Sequence, residues 1–279
     1  MRLGIRFRDL ISKTFIYGAL IAGSFFIIMP LIWMISTSLK LKSHVFRFPP
    51  EFIPNPVVWS NYPEALTILP FDKYLINTLI IVIISVTGEV LMSAVVAYAF
   101  SRLKWKGRDI LFIIVIATMM LPGQVTLIPI FILYRQIGWL DTFFPLTVPS
   151  WFGNAFYIFL LRQYFMTISK DMDEAAVIDG ASKFGVFWRI TLPMAKPALG
   201  AVAIFSFQFH WNDFFRPLIF LFDKNKYTLA LGLRFFQGGY GTDWPYLMAA
   251  SLVVMLPVIL IFFFAQRYFI QGVVLTGYK

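Results

Sequence analysis

Six long stretches of this chain are nearly free of charge, and the polar residues gather in the short segments between them. The apolar stretches run over Phe15–Ser36, Tyr74–Phe100, Ile110–Tyr134, Val148–Phe165, Ala198–Phe222 and Trp244–Phe269. Each approaches or exceeds the roughly 20 residues that a helix needs to cross a bilayer. None alternates apolar with polar positions as a barrel strand does, and an open strand edge leaves backbone groups unsatisfied in lipid. The pattern therefore predicts an all-α membrane protein with six transmembrane helices. The first stretch follows Arg2, Arg6, Arg8 and Lys13, like the charged start of a secretion signal. Its apolar run exceeds the roughly 7–15 residues of a signal core, and no Ala-x-Ala site precedes Lys40, so it is expected to remain as the first span.

The charges between the spans orient them. Arg2, Arg6, Arg8 and Lys13 precede the first span, Arg102, Lys104, Lys106 and Arg108 join the second to the third, and Lys170, Lys183, Arg189 and Lys196 join the fourth to the fifth. The opposite loops are poorer in uncompensated Lys and Arg, carrying Glu51, Glu64, Asp72, Asp141, Asp223 and Asp243. By the positive-inside rule both termini lie in the cytoplasm. The outer segment from Phe48 to Pro56 is rich in proline, so it is expected to be stiff and extended: a rigid connector or a surface for an external partner. No repeat or separate soluble domain stands out, and the chain reads as one transmembrane domain over residues 1–279.

Composition narrows the function classes. The chain is 59% hydrophobic and 14% charged, with a mean hydropathy of +0.76, which a soluble domain could not cover with polar surface. Its net charge of +10 follows from cytoplasmic loops rather than from a nucleic-acid surface, so lipid is the expected contact and nucleic acid is not. With no cysteine, thiolate metal sites and cysteine nucleophiles are excluded. The two histidines, His44 and His210, lie in different regions and predict no metal site. No phosphate-cradling Gly-rich loop with Lys and Ser/Thr is present, and no catalytic cluster stands out. The chain is therefore expected not to be an enzyme and to hold no cofactor, so any energy source sits on a partner.

The most informative segment is cytoplasmic, from Ser169 to Pro193. Asp171 and Glu174 have capping-box spacing, which predicts a helix starting near Met172. Gly180 suits the left-handed position just past its end. Ser182 can cap a second short helix, with Pro193 as its stop. The expected product is a helix-turn-helix knob; the bland alternative is an amphipathic connector lying on the bilayer surface.

These residues resemble the permease signature of binding-protein-dependent ATP-binding-cassette importers: Glu174-Ala175-Ala176, then Asp179-Gly180-Ala181, then Ile190-Thr191-Leu192-Pro193. The resemblance spans nearly the whole chain and looks nearest to the MalG-like subunits of carbohydrate importers. Its further landmarks are Asn77-Thr78-Leu79, Ala97 to Arg102, Met120-Leu121-Pro122, Leu161 to Phe165, Trp211 to Phe214 and Gln271-Gly272 to Thr276-Gly277. It implies a type I ABC importer permease fold in the bacterial cytoplasmic (inner) membrane. It also implies a homologous (MalF-like) second permease subunit, two copies of an ATP-binding subunit that hold ATP and Mg, and an extracytoplasmic solute-binding protein. Under it, Glu174, Ala175, Ala176, Asp179, Gly180, Ala181, Ile190, Leu192 and Pro193 couple to the ATPase. The tail residues Gln271, Gly272, Thr276 and Gly277 reach the interface between the two ATPases, and the outer loop Gly238, Gly239, Tyr240 and Gly241 meets the binding protein. That loop equally reads as a simple flexible turn. The implied cargo is a sugar or oligosaccharide; a polyamine, phosphate or glycerol phosphate stays open.

Within the spans, Glu89 is a mid-membrane carboxylate, which costs at least a few kcal/mol unless paired or wetted. It is expected to face the bundle interior, as a helix-to-helix hydrogen bond or as part of the solute route. Gln208, Trp211, Asn212 and Asp213 offer an aromatic face and polar groups suited to a sugar, or interfacial anchoring for the tryptophan. Pro122, Pro129 and Pro257 are expected to kink their helices. An ion-coupled secondary transporter would need paired intramembrane ionisable sites in two halves, and Glu89 has no counterpart.

Overall fold

In the computed structural model the backbone is described over residues 2–238 and 241–274, and side chains over 13–238, 241–264 and 266. Helix α1 spans Arg2–Ser38, α2 Asn61–Ile68 and α3 Phe71–Arg102; α4 (Arg108–Ala117) and α5 (Gly123–Gln136) follow. Next come α6 (Phe144–Thr147), α7 (Ala155–Thr167), α8 (Lys170–Ile178), α9 (Lys183–Val186) and α10 (Leu192–Met194). The chain continues with α11 (Lys196–Trp211), α12 (Phe215–Phe220), α13 (Leu229–Leu233) and α14 (Trp244–Val274). Between α13 and α14, β1 (Gln237–Gly238) and β2 (Gly241–Thr242) pair antiparallel, Gln237 opposite Thr242.

Among the described residues, Lys13–Ser38, Phe71–Arg102, Phe144–Thr167 and Trp244–Phe264 are each long and apolar enough to cross a bilayer. Two bent pairs complete up to six spans: Arg108–Met120 with Gly123–Gln136 at 96°, and Lys183–Met194 with Lys196–Trp211 at 78°. This is an all-α, multi-spanning membrane fold. Three stretches that read as continuous are broken, the fourth at Gly153 (φ 79°) and the extended Asn154, so that α7 starts only at Ala155. The third breaks at Leu121 and Pro122, both extended (ψ 116° and 131°), because the ring of a proline disfavours helical backbone in the residue before it. The fifth ends as a helix at Trp211, and α12 starts only at Phe215. Pro129 and Pro257 lie inside α5 and α14.

The chain divides into two compact units. One joins the residues up to Leu69 with Leu233–Val254. In it Asn61 Nδ2 donates to Ser38 O (2.8 Å) and Lys40 O (2.9 Å), and Tyr246 OH donates to Glu64 Oε2 (2.6 Å). The proline-rich segment 48–56 holds no helix, as its composition predicts. Phe26 and Ile27 on α1 are about four-fifths exposed (79% and 80%), a patch stable only against lipid or another subunit.

The other unit, Pro70–Gly232 with the chain from Met255 on, carries the candidate coupling and solute-route residues. Its core brings α3, α7 and α11 together: Ala94 and Ala97 lie among Ile158, Leu161, Phe165, Ala198 and Val202, all buried. Lipid tails are as apolar as these side chains, so close packing holds the helices, and small residues permit it. At Gly88 an added Cβ would lie 2.7 Å from the Trp151 ring, so only glycine admits this approach to α3.

Candidate functional site

The cytoplasmic segment folds into a hairpin of short helices, with one correction at its start. Ser169, not Asp171, caps α8: its Oγ accepts from the Asp171 amide at 3.2 Å. The helix begins at Lys170, two residues earlier than expected, so Asp171 sits in the first turn, where the helix dipole favours an acid. Glu174 then lies too far along to reach back to the cap, and its side chain is exposed. The far end matches the expectation. Gly180 is left-handed (φ 82°), with its N–H donating to Val177 O (3.0 Å) and the Ala181 N–H to Ala176 O (2.9 Å). That pair of bonds is a Schellman closure.

Ser182 caps α9, accepting from the Gly185 amide at 3.1 Å. Pro193 does not stop the helix. A π turn over Phe187–Thr191 widens the backbone where the proline ring would meet the carbonyl of residue 189, and the helix runs on to Met194 before turning at Ala195.

Glu174, Ala175, Asp179 and Gly180 face outward, as do Val177 and Ile178, the latter 85% exposed. Ala176 and Ala181 are half-buried. Ile190 and Leu192 are turned partly inward, Leu192 against the α3–α7–α11 core, while Pro193 is exposed.

Arg102 anchors this knob. Its Nη2 donates to Phe165 O (2.6 Å) and Ile168 O (2.7 Å) at the end of α7, and its Nη1 lies 3.3 Å from Asp173 Oδ2 on α8. Tyr98 OH donates to Lys183 O (3.0 Å). In the sequence Arg102 is an orienting charge and the end of a family landmark; its partners lie more than sixty residues away, beyond the reach of local pattern.

A second constellation lies at the break in the fifth span. Asn212 closes α11, its N and Nδ2 both donating to Gln208 O (3.2 and 2.9 Å). Asp213 Oδ1 accepts from the Arg216 amide (3.2 Å) and Oδ2 from Arg216 Nε (2.5 Å). Arg216 Nη2 reaches His210 Nδ1 (3.1 Å), and His210 Nε2 reaches Glu89 Oε2 (3.1 Å). A guanidinium can only donate, so Nδ1 accepts and the imidazole is the neutral Nε2–H form, donating to Glu89. Ser206 Oγ (2.6 Å) and Asn154 Nδ2 (3.4 Å) also donate to Glu89, so three donors surround it. Glu89, 5% exposed, faces the interior as expected, and it joins α3 to α11 and to the cap of α7.

Beside this network opens a cavity of about 630 Å³, lined by Gln208, Asn212 and Asp213 with Phe156, Tyr157 and Phe209 among its rings. Trp211 is not part of it. It is 2% exposed and stacks on Phe207 with ring centroids 5.3 Å apart, about 100° round the helix from Asn212. His210, Arg216 and Asn154 were not singled out as site residues. The available signal was that polar residues inside apolar runs need partners.

The family model described as binding-protein-dependent transport system inner membrane component matches residues 89–274, two-thirds of the chain. The chain belongs to this family. It is thus a transport permease rather than an enzyme, a multi-pass protein of the inner-membrane class. It works with ATPase subunits and a solute-binding protein. The permease is 32% identical over 255 residues to the arabinooligosaccharides transport system permease protein AraQ of Bacillus subtilis, covering 90% of each chain. It is 31% identical over 269 residues to the sn-glycerol-3-phosphate transport system permease protein UgpE of Yersinia pestis, covering 93% of this chain and 95% of that one. Its fold matches a chain of a bacterial ABC transporter involved in import of the acidic polysaccharide alginate. The TM-score is 0.81 at 26% identity, with 92% of this chain and 97% of that chain covered. The relatives thus span several carbohydrate and solute systems, and the likeness is not specific to MalG. The ion-coupled alternative falls with the family assignment.

Of the remaining expected site residues, Gly238 and Gly241 pair in the β1–β2 ladder, and Gln271 and Gly272 lie in the last turn of α14. Gly239, Tyr240, Thr276 and Gly277 lie outside the described residues. Among the described residues no group of three or more His, Cys, Asp or Glu is placed to hold a metal.

Proposed function

We propose that this permease moves a sugar or oligosaccharide into the cytoplasm by alternating access, paired with a homologous (MalF-like) second permease subunit. Two copies of an ATP-binding subunit, which hold ATP and Mg, drive it through the knob. The observation that carries the coupling role is the knob's geometry: a capped, Schellman-closed helix tied to the bundle by Arg102 with its apolar tip, Ile178, uncovered. A rigid lever with an exposed apolar anchor fits a cleft on a partner and passes on that partner's movement. Glu174 and Asp179 add directional polar contacts. The tail from Gln271 through Thr276 and Gly277 extends this contact to the ATPase interface, and the outer loop around Gly238 to Gly241 meets the solute-binding protein.

The sugar reading is supported by amides and aromatic rings sharing one cavity and by the likeness to AraQ; the likeness to UgpE favours glycerol phosphate as the second reading. In the assembled complex in nanodiscs, Ile178→Asp is expected to insert normally but abolish solute-stimulated ATPase activity. Unchanged stimulation would refute the coupling role. Calorimetry of the cognate binding protein against oligosaccharides, polyamines and phosphates tests the cargo, and binding confined to amines or phosphates would refute a sugar.

A further inference from the structure

The broken fifth span also carries information about which solutes pass. Asn212 and Asp213 sit between α11 and α12, inside the apolar stretch expected as the fifth span, where amide and carboxylate groups cannot face hydrocarbon. This face therefore borders water, and the cavity of about 630 Å³ is that space, within the roughly 300–1,000 Å³ usual for small-molecule sites. Its lining holds the Asp213 carboxylate, the amides of Gln208 and Asn212 and aromatic rings, and among the described residues no Lys or Arg.

The nearest cation, Arg216, is already engaged. Its Nε is on Asp213, its Nη2 on His210, and its guanidinium lies 4.8 Å from the Phe209 ring centroid. His210 is neutral by its bonding pattern, so the two carboxylates Glu89 and Asp213 stand against the single guanidinium of Arg216, a net charge of −1. An anion arriving here meets the Asp213 carboxylate and no free cationic donor. A polyhydroxylated neutral molecule finds rings for its C–H faces and two amides for its hydroxyls. Both Asp213 oxygens already accept from Arg216, which leaves lone pairs suited to a hydroxyl rather than to a full ammonium.

We propose that this cavity is a subsite for neutral polyhydroxylated solutes and that Asp213 excludes anionic ones. The inference rests on the sugar-importer reading and deepens it. By it, this permease would refuse the kinds of cargo named for UgpE and for the alginate transporter.

The test uses the assembled complex in nanodiscs, held outward-facing by vanadate and without binding protein. Calorimetry then compares maltotetraose, cellotetraose and xylotetraose with tetragalacturonate and spermidine. In the wild type the best neutral tetrasaccharide should bind at least about tenfold more tightly than tetragalacturonate, a gap of about 1.4 kcal/mol. D213N, which frees the Arg216 guanidinium, should narrow that gap, and N212D, which adds a second carboxylate, should widen it. Should D213N fail to assemble, N212D decides alone. Tetragalacturonate or spermidine binding as tightly as the best neutral sugar, or no solute binding at all, overturns the proposal. So does a gap that neither variant moves. Failure of the importer reading would appear separately, as ATPase activity indifferent to loaded binding protein.

Discussion

Replacing Arg102 with alanine should loosen the knob without altering any residue of the knob itself. The Arg102 side chain is 3% exposed and makes two charge-assisted bonds to carbonyls at the end of α7, at 2.6 and 2.7 Å, besides its approach to Asp173 at 3.3 Å. A hydrogen bond to a charged group contributes about 1.5–3 kcal/mol, and removing one member of a buried ion pair costs about 3–5 kcal/mol. Asp173 is 17% exposed and regains some hydration when its partner is lost, so the low end, about 3 kcal/mol, is the expected cost. Because about 1.4 kcal/mol is tenfold, the equilibrium for detaching the knob should shift by roughly two decades. Hydrogen exchange on the nanodisc complex should then show amides 174–181 exchanging about a hundred times faster, while α7 keeps its protection. Solute-stimulated ATPase activity should fall in parallel. Arg102→Lys should recover only part of the protection, since an ammonium cannot fork across two carbonyls and a carboxylate at once. Unchanged protection over 174–181 in the alanine variant would refute the anchoring role.

Gly180→Val should insert normally but lose solute-stimulated ATPase activity. An added Cβ meets nothing within 4 Å, so the penalty of about 1–3 kcal/mol comes from the backbone at φ 82° alone, and wild-type stimulation would contradict it. Glu89→Ala leaves Ser206, His210 and Asn154 without their acceptor and should lower the thermal midpoint clearly more than Glu89→Gln, which keeps a carbonyl oxygen there; equal midpoints would argue against the network. In the outer loop, burial pushes the Asp141 carboxyl upward. The Asp223 amide, the Lys226 ammonium and the Phe222 amide outweigh it and hold the group at about 2, below the usual value near 3.9. A depressed folded pKa stabilises above the unfolded value and is lost as pH falls through the folded one. The Phe222 and Asp223 amides should therefore keep their protection at pH 5 and lose it between about pH 4 and pH 2; flat protection across that window would count against the Asp141 clamp.

The membrane class, the helical class and the caps at Ser182 and Gly180 were legible along the chain, because each depends on a few neighbouring residues. Hydropathy is a sum over about one span, and a left-handed glycine or a capping serine acts within one turn. Even locally there was a limit: Asp171 with Glu174 met the capping-box spacing, yet Ser169 offered its hydroxyl two residues earlier and won. Family resemblance then carried the functional assignment further than periodicity could.

The sequence by itself thus determined that this chain crosses a membrane as helices and presents a knob whose own turns are locally specified. Only the tertiary structure decided that Arg102 ties the knob to α7. It also turned Trp211 away from the cavity while Asp213 lines it, and it made Glu89 the acceptor for Ser206 and His210, more than a hundred residues on. The reason is geometric. Local pattern says that a polar group inside a span needs a partner, but which partner it meets depends on how each helix is rotated and where it breaks. Those are settled by packing such as Gly88 against Trp151 and Ala97 within the α3–α7–α11 core.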